Sequence, residues 1–151
     1  SGSAVTAITF TSLDLDAHLD YVIEVETLGA AGSNLFSIYA NNDQTATNYR
    51  SQLQNGTGTT AGAEAANNAR IGYSHDELRG KSVIHVGYST GRYFMAISTM
   101  LRQTASTTFY SEISGVFKTA ELSANLTRLD LVHSTSSGFE VGTKARIYRR
   151  Q

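Results

Sequence analysis

The 151-residue chain has no cysteine, no proline and no tryptophan. Without cysteine, neither a disulfide framework nor a thiolate metal site can form. Without proline, no strand is barred from a sheet interior by a missing N–H. Charge is sparse: 12 Lys and Arg against 13 Asp and Glu leave a net charge of −1. Nucleic-acid binding requires a basic face, and the cluster Lys144, Arg146, Arg149 and Arg150 is too short to supply one, so no nucleic acid is expected. No apolar run approaches the roughly 20 residues of a spanning helix, so no membrane insertion is expected. What remains is 40% hydrophobic residues, enough for a packed core in one domain. Ser1-Gly2-Ser3 reads as a cloning scar on a piece of a longer protein, and residues 4–151 as a single β-sandwich domain.

The dominant pattern is alternation of apolar and polar residues, the period-two signature of strands that bury one face. Val5–Leu13, Leu19–Leu28 and Leu35–Ala40 show it, with Tyr21, Ile23 and Val25 opposite Asp20, Glu24 and Glu26. Thr47–Gln54 and Arg70–Tyr73 continue the series, while Ala63–Ala69 fits either a helical turn or an edge strand. Lys81–Tyr88 and Arg92–Leu101 read as a hairpin around Ser89-Thr90-Gly91, and Thr107–Lys118 sets Phe109, Ile113 and Phe117 on one face. Thr119–Asn125 suits a short helical turn. Leu126–His133 and Thr143–Arg149, joined by the Ser/Gly loop Ser134–Gly142, read as a closing β-hairpin. Nine or ten strands with turns about every 8–12 residues predict an all-β, antiparallel sandwich, jelly-roll-like, with its first and last strands paired.

Few residues suggest chemistry. Gly87-Tyr88-Ser89-Thr90-Gly91 matches the G-x-S-x-G nucleophile elbow, and Asp130 and His133 follow in hydrolase order. An elbow needs a helix after the serine in a parallel α/β sheet, and this chain has no βαβ alternation. Asp130 and His133 also sit at odd spacing on one strand, which sends them to opposite faces. A small serine hydrolase using Ser89 is therefore a remote alternative, and the expectation is no enzyme and no cofactor. Asp14, Asp16, His18 and Asp20 recur at every second residue, an oxygen-rich set that an extended backbone would present to a divalent cation. The simpler reading is a solvated loop, so no metal is expected. Tyr49, Arg50, Tyr88, Arg92 and Tyr93 offer rings and hydrogen-bond donors from which a glycan platform could be built, against the simpler reading that tyrosines pack well on strands.

Five segments carry a resemblance in their order and spacing: Ile8–Leu15 (ITFTSLDL), Asn48–Leu53 (NYRSQL), Asn67–Ile71 (NNARI), Asn125–Val132 (NLTRLDLV) and Gly142–Arg149 (GTKARIYR). Together they resemble a recurring β-sandwich domain of tailed-bacteriophage structural proteins, across nearly the whole chain. The resemblance implies a non-enzymatic virion component, attached to a tail fibre, tail tip or capsid-associated protein. It implies a homo-oligomer, a trimer favoured, that contacts other virion proteins, and it carries over no catalytic residues. A carbohydrate-binding, receptor-adhesion module meeting a host-surface glycan is the alternative.

Overall fold

Along Asp20–Thr27 every second side chain, Tyr21, Ile23, Val25 and Thr27, is buried, while Glu26 points to water. The same rhythm along Gly80–Gly87 buries Ser82, Ile84 and Val86. Strands of this kind become stable only when their apolar faces meet another sheet. The computed structural model describes residues 4–18, 20–28, 34–57, 60–66, 68–74, 80–87, 90–103, 109–136 and 138–150. Among these are eleven strands: β1 (Ala7–Phe10), β2 (Asp20–Thr27), β3 (Asn34–Ala40), β4 (Tyr49–Thr57), β5 (Thr60–Ala66), β6 (Arg70–Ser74), β7 (Gly80–Gly87), β8 (Met95–Gln103), β9 (Phe109–Lys118), β10 (Leu129–His133) and β11 (Lys144–Arg149). One helical turn, α1 (Leu15–His18), and a 3-10 turn, Ala46–Asn48, complete the set.

The strands form two antiparallel sheets packed as a sandwich, one ordered β1-β10-β3-β6 and the other β11-β2-β7-β8-β9-β4-β5. Leaving aside β8, β9 and β11, the orders become β1-β10-β3-β6 and β2-β7-β4-β5, and successive segments alternate between sheets, save for the hairpin β4-β5, as in a jelly roll. The hairpin β8-β9 is thus an insertion that widens the larger sheet at its centre. Phe36, Ile38, Leu129 and Leu131 of the smaller sheet join Tyr21, Ile23, Val25, Ile84 and Val86 of the larger in the core. Each such side chain contributes about 1.5–3 kcal/mol of burial.

The expected closing hairpin does not form. β10 lies between β1 and β3 in the smaller sheet, and β11 pairs with β2 in the larger. The loop between them crosses the sandwich because Phe139 drops into the core, its ring edge-on to His133 at 5.1 Å and Phe36 at 5.7 Å. A tight turn would strand that ring in water. The backbone of Phe139 exchanges two hydrogen bonds with Val5, at 2.7 and 3.0 Å. Gly138 adopts φ +69°, which lets the chain pass against Val5. The first and last strands likewise do not pair; β1 and β11 are edge strands of different sheets that flank one shallow groove. Thr119–Asn125 forms no helical turn, and the ambiguous segment near Ala63 belongs to the edge strand β5.

Candidate docking face

Paired residues of neighbouring strands share a face, so the register of β7 dictates the faces of β8 and β9. Val86 is in the core and pairs with Ala96, which in turn pairs with Val116. The inner face of the hairpin is therefore Ala96, Ser98 and Met100 on β8 with Glu112, Ser114 and Val116 on β9, all buried. The outer face holds Met95, Ile97 and Leu101 beside Ile113 and Phe117, which are 46–64% exposed. Large apolar groups face water and hydroxyls face inward. That is the reverse of the usual arrangement, and it concentrates apolar surface in one patch.

The inner hydroxyls are only partly satisfied. Ser114 Oγ donates to the Arg70 carbonyl at 3.0 Å, and Ser51 Oγ donates to Asn68 Oδ1 at 2.7 Å. Among the described residues, Ser82 Oγ and Ser98 Oγ have no hydrogen-bond partner. On the outer face the patch is bounded on one side by Glu24 and Glu26, which pair across the ladder with Arg146 and Lys144. On the other side lie Arg50, Gln52 and Gln54 of β4.

Of the five residues expected to bind glycan, the four that are described are not brought together as one platform. Tyr49 is fully buried, its hydroxyl oxygen accepting the Ala40 N–H at 3.1 Å and its ring edge-on to Tyr39 and Phe94. Burial pushes that hydroxyl above the usual phenol range. The β4 register turns Tyr49 inward, so a ring that alternation left undecided became core. Arg50 is on the opposite face, its guanidinium donating to the carbonyls of Thr47 and Tyr49. Tyr88 lies outside the described residues. Arg92 and Tyr93 are exposed side by side just before β8.

The acidic set is also dispersed, because its backbone is helical rather than extended. Asp14 caps α1: its Oδ1 accepts the Ala17 N–H at 3.0 Å and a side-chain N–H of Asn125 at 2.8 Å. Those two hydrogen bonds, that of Asn125 foremost, hold its carboxyl below the usual carboxylate range. Asn125 Oδ1 accepts the N–H groups of Leu15 and Asp16, and Leu15 is buried. Asp16 instead accepts the Thr90 N–H at 2.7 Å, and Asp20 lies 3.8 Å from Arg150. His18 sets its ring edge-on to Tyr21. Among the described residues, no group of three His, Cys, Asp or Glu is placed to hold a metal.

Ser89 lies outside the described residues, but its flanks are clear: β7 is followed by the antiparallel strand β8, so the strand–helix frame of a nucleophile elbow is not built. Asp130 accepts from Thr9 Oγ1 at 2.6 Å and from the Arg128 guanidinium at 2.8–3.0 Å. His133 is turned inward toward Phe139, and burial lowers its pKa below the ordinary imidazole value against a hydrogen bond with Thr135 that raises it. At the end of β9, Lys118 forms an ion pair with Asp43. Burial alone would raise the Asp43 carboxyl, but hydrogen bonds from Lys118, Asn48 and Thr45 bring it down to about 2.

Comparison with protein-family models, curated proteins and solved structures finds no match for this chain.

The arrangement offers an apolar surface with mixed charge at its borders. Exposed apolar patches of this kind mark interaction sites in general. The sequence reading found both strands but not this face, because alternation separates two faces without saying which is inside.

Proposed function

We propose that this is a non-enzymatic assembly domain of a tailed-bacteriophage virion, carried on a tail or capsid surface protein. It docks to other virion proteins and to further copies of itself through the outer face of the larger sheet. The observation that carries this reading is the exposed stripe of Met95, Ile97, Leu101, Ile113 and Phe117, placed on the hairpin that widens the jelly roll. An apolar patch in the middle of a sheet favours association and exposes the free chain to aggregation. The segment order from Ile8 to Arg149 supports the virion setting. A second reading, adhesion to a host-surface glycan, draws support from the adjacent exposed Arg92 and Tyr93.

Antibody raised against the domain tests the virion setting. It is expected to label purified particles from the culture that carries the gene. Signal confined to cell lysate, with bare particles, overturns it.

A further inference from the structure

We propose that the outer face of the larger sheet closes on the same face of a second copy of the chain, about a two-fold axis parallel to β8. This rests on the assembly reading above and names its partner and symmetry. β8 is the middle of the seven strands, so rotation about it lays β7 over the partner's β9 and β2 over the partner's β4. A regularly twisted sheet maps onto itself under rotation about its central strand, so two identical twisted faces nest.

The register then decides what meets what. One row across the sheet reads Asp20, Gly87, Met95, Phe117, Arg50. Rotation seats Phe117 over the partner's Gly87 and sets Arg50 against the partner's Asp20, each twice. The next row reads Val22, His85, Ile97, Gly115, Gln52. There His85 lies over the partner's Gly115, and Ile97 meets its own copy. In the row of Thr99, Val83 meets the partner's Ile113. Phe117 and His85 meet glycine, Ile97 and Val83 meet apolar side chains, Asp20 meets Arg50, and Val22 meets the partner's Gln52.

Gly115 gives an independent reason. It lies mid-strand with no left-handed φ, and a Cβ built there would find nothing within 4 Å. Nothing inside the single chain requires a glycine, which weakens a strand and often marks the close approach of another surface. From strand spacing near 4.8 Å and a rise near 3.4 Å, the face measures roughly 30 by 20 Å, or about 1,200 Å² over both copies. That reaches the range of specific interfaces, about 1,200–2,000 Å².

The test is sedimentation equilibrium of the whole domain across the micromolar range, with circular dichroism and Tm for each variant. The wild type is expected at the mass of two chains. Gly115→Leu fills space that is open in the single chain, so it should keep the fold while weakening the dimer at least about tenfold. Asp20→Arg and Arg50→Glu should each weaken it, and the double variant should recover most of the loss. A mass of three chains, a single chain throughout, or a folded Gly115→Leu that dimerises like the wild type overturns the two-fold. So does a face that stays bare until a different virion protein covers it. A single chain throughout would also remove self-docking from the assembly reading; the virion setting is untouched by any of these outcomes and stands or falls on particle labelling.

Discussion

Replacing Ser98 with alanine should stabilise the protein. Ser98 is 1% exposed on the inner face of β8, and among the described residues its hydroxyl has no hydrogen-bond partner. An unsatisfied buried hydroxyl costs about 1–3 kcal/mol of desolvation. Removing one oxygen leaves a small void, which at about 24 cal/mol per Å³ returns only a few tenths of a kcal/mol. The expected gain is thus about 1–2 kcal/mol. With about 2.1 cal/mol/K of unfolding entropy per residue, a domain of this length gains about 3 °C in Tm per kcal/mol, so Tm should rise roughly 3–6 °C. Urea unfolding should show a higher midpoint at unchanged slope. Wild type and variant must be compared at one protein concentration, because self-association adds to apparent stability. Ser114→Ala is the contrast: its hydroxyl donates to the Arg70 carbonyl at 3.0 Å, and its loss should cost about 1 kcal/mol. Should Ser98→Ala lose stability at an unchanged slope, the hydroxyl has a partner, and the account of the inner face as a stored cost is refuted.

Asp43 is held at about 2, below its ordinary 3.8, so its contribution is full above pH 4 and lost as pH falls from about 4 towards 2. Allowing for solvent screening, Asp43→Asn should remove about 1–2 kcal/mol at neutral pH and flatten that part of an acid titration of stability. His133 acts in the same direction at higher pH: its folded pKa lies below 6.5, so the unfolded chain takes the proton first and stability should decline once pH drops below about 6.5. A urea midpoint that does not move between pH 7.5 and 5.5 would contradict this. Gly138→Ala must place a Cβ 2.4 Å from the Val5 carbonyl oxygen at φ +69°, and should cost about 2–3 kcal/mol by denaturation.

Strands were legible wherever β-branched and aromatic residues alternated with polar or charged ones, as in β2, β3 and β7. Their partners were not, because period two fixes the faces of a strand and says nothing of its neighbours. Leu126–His133 and Thr143–Arg149 looked like a hairpin by proximity, and the burial of Phe139 between the sheets separated them. Alternation from Asp14 to Asp20 suits one extended face, but Asp14 and Asn125 cap α1 by accepting three of its N–H groups, those of Leu15, Asp16 and Ala17, and so hold a helical turn there. Tyr49 looked like an exposed ring, yet the Ala40 N–H gave its hydroxyl a buried partner.

The outer face of β8 and β9 is the part that sequence alone inverts. By hydropathy Ile97, Ile113 and Phe117 belong inside, with Ser98, Glu112 and Ser114 towards water. Swapping the faces would need a one-residue slip against β7, and that slip would expel Ala96 and Val116 from beneath the smaller sheet. The ladder through Ile23, Ile84 and Val86 is anchored too firmly to allow it, since each of those side chains is fully buried. The larger sheet therefore carries buried hydroxyls and exposed hydrocarbon together. Each is a cost to the isolated chain, and a second surface laid over Met95, Ile97 and Phe117 would remove the greater of the two.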